Sequence, residues 1–219
     1  MTKTVRKQRD RFGRFSLVLT GRPMKAILCS GFLALAIMAL AVPADAGSYE
    51  DGLAAYNQGD YATALRLWRP LAEQGHAEAQ FNLGLVYGMG QGVPQDDAEA
   101  VKWFRMAAEQ GIAEAQNNLG SMYYDGRGVP QDDTEAVKWY RKAAEQGDAE
   151  AQTNLGAMLA TGRGVAQDYV SAHMWFSLAA AKGHEKAKQS QDLAASLMTP
   201  DQIAEAQRLA REWMAKHQQ

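Results

Sequence analysis

Residues 113–148 read AEAQNNLGSMYYDGRGVPQDDTEAVKWYRKAAEQGD, and residues 77–112 before them read AEAQFNLGLVYGMGQGVPQDDAEAVKWFRMAAEQGI. The two stretches agree at 26 of 36 positions without a gap, and 149–184 continues the register with 19 of 36 matches to the middle copy. A fixed period of this length signals a solenoid, in which each unit buries its apolar face only by stacking on its neighbours.

Inside the middle copy, Ala115, Leu119, Gly120 and Tyr123 fall at i, i+4, i+5 and i+8, one face of a first helix. Gly84, Gly120 and Gly156 stand inside that helix at a cost of about 1 kcal/mol relative to alanine, so another helix is expected to approach closely there. A second helix starts after GRGVPQD. Pro94 and Pro130 stop the preceding turn, and Asp132 followed by Glu135, like Asp96 followed by Glu99, has the spacing of an acidic capping box. Ala136, Trp139, Tyr140, Ala143 and Ala144 form its buried stripe, and Gly147 supplies a left-handed C-terminal stop. Two antiparallel helices per unit result.

Working outward, Tyr61–Gly75 matches a second helix, with Pro70 predicted to interrupt and kink it, and Tyr49–Asn57 supplies a short partner. Downstream, 185–197 begins in register but loses the Leu-Gly pair, and Thr199-Pro200-Asp201-Gln202 opens a final helix. The expected body is therefore 47–219, five helical hairpins: an N-terminal cap at 47–76, three repeats at 77–112, 113–148 and 149–184, and a C-terminal cap at 185–219. Atypical ends of this kind are what a solenoid needs at its termini.

Residues 1–46 are different in kind. They hold 8 Lys/Arg and 2 Asp/Glu, which leaves 15 against 23 and a net charge of −8 for the body. So acidic a body repels phosphate and argues against nucleic acid as the main partner. The apolar core 26–42, seventeen residues without a charge, is followed by Ala44-Asp45-Ala46 and Gly47, the layout of an export signal cleaved near Ala46-Gly47. A retained inner-membrane anchor is the alternative, since about 17 residues is the lower limit for crossing hydrocarbon. The long basic stretch ahead of it leaves two candidate starts, Met1 and Met24. The only cysteine, Cys29, lies in the apolar run, so the body has no disulfide, thiolate site or cysteine nucleophile.

The A-E-A-Q-x-N-L-G, G-x-G-V and A-A-x-x-G motifs, held at fixed spacing in three tandem copies, resemble the Sel-one-like repeat (SLR) family, relatives of the tetratricopeptide repeat. Ala166 in place of the loop proline and Ser171 in place of glutamate are departures in the third copy. The resemblance implies an all-α, right-handed superhelical solenoid of antiparallel helical hairpins. It also implies a non-enzymatic bacterial adaptor that binds a protein or peptide in its concave groove. The expectation is a periplasmic or secreted scaffold, with a sensor-kinase ectodomain or an envelope complex as the partner class. The alternatives are a cell-wall enzyme of the β-lactamase or peptidoglycan type and a host-interaction factor.

No catalytic, cofactor or metal residues are expected. The paired aspartates recur before each second helix as caps do. The glycines at 88, 90 and 92 lack the lysine and Ser/Thr of a phosphate loop. His76 and His184 are three repeats apart, His173 and His217 lie elsewhere, and no G-x-S-x-G elbow occurs. Trp103, Trp139 and Trp175 share the buried stripe rather than forming a sugar-stacking ladder. Where the copies disagree, packing leaves the residue free. The varying positions of the first helix are spaced i, i+4, i+7 and i+8, and Phe81, Leu85, Met89, Asn117, Ser121, Tyr124, Asp125 and Thr153 are the candidate groove residues.

Overall fold

The computed structural model describes residues 48–217. The export signal expected within 1–46, its cleavage site and Cys29 lie outside the described residues. Ten helices follow one another: α1 (Tyr49–Asn57), α2 (Tyr61–Glu73), α3 (Ala77–Met89), α4 (Asp97–Glu109), α5 (Ala113–Asp125), α6 (Asp133–Glu145), α7 (Ala149–Thr161), α8 (Tyr169–Ala181), α9 (Glu185–Ala195) and α10 (Pro200–His217). Each helix from α1 to α8 packs on the next, which makes an all-α solenoid of antiparallel pairs. Among the described residues, no helix is long and apolar enough to cross a membrane.

Side-chain caps open most of these helices. The carboxylates of Asp96, Asp132, Asp148 and Asp168 accept from backbone N–H groups in the first turns of α4, α6, α7 and α8. The reciprocal half of the expected capping box does not form in α4 and α6. Asp132 Oδ1 accepts from the N–H of Glu135 at 3.0 Å, but Glu135 turns to Lys138, as Glu99 turns to Lys102, because a cation three residues on competes for the carboxylate. Reciprocal boxes occur instead at Ser48–Asp51 and at Thr199–Gln202. The first helices end at Gly90, Gly126 and Gly162 with φ of 69°, 69° and 72°, a backbone geometry that favours glycine.

The interior glycines do admit a close neighbour, and it is an aromatic ring of the second helix. A Cβ on Gly84, Gly120 or Gly156 would lie 2.5 Å from the Phe104 ring, 2.8 Å from Tyr140 and 2.6 Å from Phe176. Gly52 meets Trp68 in the same way at 2.3 Å. Rings laid on bare backbone offset the helical cost of glycine by burying large apolar area.

Trp103 and Trp139 are buried between units: Trp103 sits with Trp68, Leu83 and Val86, and Trp139 with Val101, Phe104 and Leu119. Trp175 is half-buried and meets Trp213 edge-on at 6.1 Å. Two expectations change. Pro70 does not end α2, which runs through it to Glu73. Proline so near the C-terminus removes a single bond, the Pro70 carbonyl still accepts from Gln74, and Ala64, Leu65, Leu67, Trp68 and Ala72 bury the helix face. The fifth pair is not a hairpin like the others: α9 and α10 both pack chiefly on α8, since α9 lacks the Leu-Gly pair that would receive an aromatic ring.

Candidate functional site

A trough runs over the first helices. One depression of about 160 Å³ lies between α3 and α5 and is lined by Leu85, Met89, Phe104, Asn118 and Met122. The next, about 450 Å³, lies between α5 and α7 and takes in Tyr124, Asp125, Tyr140, Glu150, Asn154 and Arg163. A third of about 290 Å³ follows between α7 and α9, with Tyr169, Phe176, Leu193 and Leu197. Ser121 is shared by the first two, and Ala157 and Thr161 by the last two, so the depressions adjoin one another. Met89, Leu193 and Leu197 are 60%, 67% and 58% exposed at its two ends. Large apolar side chains left open beside concave surface are a common mark of a docking site.

At the centre, the buried Tyr140 donates from its hydroxyl to Ser121 Oγ at 3.1 Å. Burial pushes the Tyr140 phenol up to about 12, and the negative charges of Asp125 and Glu150 push the same way. Both carboxylates therefore act on one spot. The floor is polar as well: Asn154 donates to Asn117 Oδ1 at 3.0 Å, a bond between successive first helices.

The G-x-G loops hold successive units in register and so set the trough's width. Arg127 makes a two-pronged contact with Asp97, at 3.2 and 2.7 Å, and Arg163 makes the same contact with Asp133, at 3.1 and 2.9 Å. The Arg127 guanidinium holds the Asp97 carboxyl below its ordinary range. Arg163 also donates to the Tyr124 hydroxyl and lies over that ring, 4.2 Å from its centre. The glycine after each arginine presses on the same helix start: a Cβ on Gly128 would lie 2.2 Å from the Asp97 carbonyl oxygen, and one on Gly164 2.3 Å from that of Asp133.

The first aspartate of each pair thus caps its helix, while the second clasps the following unit, a role that sequence reasoning assigned to capping alone. A signal for it is present in the sequence. The second aspartate stands at 97 and 133, ahead of loops with Arg127 and Arg163, and is replaced by Tyr169 where the following unit has no such loop. It is Tyr61 ahead of the loop where Gln91 replaces the arginine and accepts from Tyr56.

Of the candidate groove residues, Leu85, Met89, Ser121, Tyr124 and Asp125 line the trough. Asn117 does not offer itself to a partner: it is 3% exposed and spends its side-chain oxygen on Asn154, which points back from α7 at the preceding first helix. Phe81 is half-buried against Phe104, ring centres 6.0 Å apart. Thr153 lies 3.0 Å from His184 Nδ1. Glu150 and Asn154 were missed because they are identical in all three copies, which a search for variation passes over, and Tyr140 because it lies on a second helix and was placed in the buried stripe.

A stack of helical hairpins with an open trough across its first helices is the architecture of a repeat scaffold. The chain belongs to the Sel1 repeat family, whose repeat matches residues 34–76, 77–112, 113–148 and 149–184, so a fourth match takes in the segment read above as a cap. A Sel1 repeat protein from Oxalobacter formigenes is similar in structure, with a TM-score of 0.64 and 36% identity over 67% of this chain and 60% of that one. So is c5321, a protective antigen of uropathogenic Escherichia coli strains with an SLR fold, with a TM-score of 0.55 and 29% identity over 77% of this chain and 45% of that one. The chain thus spans less than two thirds of either structure's length. No curated protein matches it. Repeats of this family generally mediate protein–protein interaction, and proteins built from them are typically non-catalytic.

Proposed function

We propose that this protein is an exported, non-enzymatic scaffold that docks an extended segment of a protein partner along the trough over α3, α5 and α7. The observation that carries it is the row of three adjoining depressions across the positions where the repeats differ, with Met89, Leu193 and Leu197 uncovered. Packing requires none of those side chains to be apolar. Export is supported by the apolar run 26–42 followed by Ala44-Asp45-Ala46, which would leave Gly47 as the mature N-terminus in the periplasm or outside the cell. A sensor-kinase ectodomain or a component of an envelope complex fits that location.

Photo-activatable cross-linkers placed at positions 85 and 157, in the trough, and at 138, on an exposed site of α6, test the docking in cells. Capture of one partner from 85 and 157 but not from 138, lost on Tyr124→Ala with helical circular dichroism preserved, is the expected result. Capture from 138 alone would move the contact to the second helices and overturn the proposal. N-terminal sequencing of the same material tests export, and retention of residues 25–46 would replace the soluble scaffold by an anchored one.

A further inference from the structure

The charge along most of the trough is one-sided. Three of the four helices that form its walls, α3, α5 and α7, carry Glu78, Glu114, Asp125 and Glu150 and not one Lys or Arg, while α9 at the far end carries Lys186 and Lys188 beside Glu185 and Asp192. The second helices α4 and α6 mix the two signs, with Lys102, Arg105, Lys138, Arg141 and Lys142 beside six carboxylates. Arg127 and Arg163 at the rim offset the walls only in part, because each grips a carboxylate outside them, Asp97 and Asp133, although the charge of each also reaches Asp125.

The glutamates open their helices, where a negative charge suits the helix dipole and would need no ligand. Asp125 has no such excuse. It is the last residue of α5, where the dipole disfavours a negative charge, and it is exposed and forms no ion pair among the described residues. Met89 and Thr161 occupy the same position in the neighbouring copies, so the fold does not call for a carboxylate there. Glu150, in the first turn of α7, lines the same depression farther along. Apolar side chains then flank this acidic centre, Leu85 and Met89 on one side and Leu193 and Leu197 on the other.

Resting on the docking function proposed above, we infer that the partner segment is basic: an extended stretch that sets a Lys or Arg side chain beside Asp125, in the depression that Glu150 also lines, and an apolar side chain at each end of the trough. Three steps between packed helices, α3 to α5 to α7 to α9, separate the ends, on the order of 27 Å. An extended chain covers that distance in about eight residues. The body's net charge of −8 favours the same class of partner at long range, with faster encounter at low salt.

Fluorescence anisotropy with the full chain and three synthetic peptides of about ten residues tests this. Each peptide carries a leucine near either end and lysine, glutamine or glutamate between them. The lysine peptide is expected to bind about tenfold more tightly than the glutamine peptide, the glutamate peptide to bind least, and the lysine preference to fade as salt rises from about 0.05 M to 0.5 M. Asp125→Asn combined with Glu150→Gln should abolish the preference without shifting the melting curve. Equal binding of all three peptides, or a lysine preference untouched by the double substitution, would overturn the inference while leaving the docking function standing. So would binding by none of the peptides while cross-linking still maps the partner to 85 and 157. Cross-linking from 138 alone would remove the docking function itself, whatever the peptides do.

Discussion

The junction between the middle and third repeats and the junction between the third repeat and the C-terminal helices perform one task with different residues. At the former, Arg163 clasps Asp133. At the latter the clasp has no arginine to hold, Tyr169 replaces the second aspartate, and contacts between Trp175 and Trp213 and from Gln191 to Ser177 take over. The change is already visible inside the third repeat. In the middle repeat the position-four glutamine, Gln116, is fully used: its Nε2 donates to the Ala108 carbonyl of the first repeat at 3.0 Å, and its Oε1 accepts from Gln146 of its own repeat at 2.8 Å. Gln80 repeats both bonds one unit earlier, to Ala72 and from Gln110. In the third repeat Gln152 still donates to Ala144 of the middle repeat, but Lys182 stands where Gln110 and Gln146 stood and reaches for the Gly147 carbonyl instead. Gln152 Oε1 is left buried without a partner. The glycine–ring pairs within a unit persist to the end, while the arginine clasp on the next unit lapses where that unit changes.

Three substitutions break or sharpen this contrast. Gly128→Ala should have the largest effect, about 2–3 kcal/mol of stability, because the new Cβ would lie 2.2 Å from a backbone oxygen at a φ of 70°. Thermal unfolding checks it, and a wild-type melting temperature would mean that the clasp does not govern repeat stacking. Next, Lys182→Gln restores the residue found at 110 and 146 and gives Gln152 Oε1 a donor, so a gain of about 1 kcal/mol is expected. A loss in denaturant titration would show that Lys182 matters more on Gly147 than its replacement does on Gln152.

The smallest effect concerns His173, which is 3% exposed on α8 where the other repeats have Val101 and Val137. Burial lowers its pKa below the ordinary 6.5, although Asp192 on α9 pulls the other way. The folded state therefore prefers the neutral ring, and the unfolded chain binds the proton first. The stability His173 contributes is whole above pH 6.5 and is lost as pH falls below it. Urea titrations at about pH 8 and pH 5 should show this acid loss, and His173→Val should reduce it. An equal loss in the variant would assign the sensitivity to other groups.

Much of the site was legible because repetition separates packing from freedom. Leu85, Tyr124 and Asp125 were found as positions where near-identical copies disagree, and they line the trough. Asn117 misled the same criterion. It varies between copies, but what varies is the partner of an inter-repeat bond, since Asn82 donates to Tyr49 and Asn154 to Asn117. Variation marks a position released by its own helix, and that helix cannot say whether a neighbour has taken it up.

By itself the sequence determined the period, the ten helices with nearly all of their ends, and the glycine positions that must accept a close neighbour. Local chemistry and helical spacing act within a few residues and need no knowledge of the whole. Only the tertiary structure decided which ring covers each glycine, that the second aspartate clasps an arginine 30 residues away, that Gln152 is left half-satisfied, and that α9 and α10 both settle on α8. It also decided that Asp125 and Glu150 share one depression. These outcomes depend on how far one unit is turned and displaced against the next, and that geometry comes from the packed interface, where side chains distant in sequence meet at fixed volume.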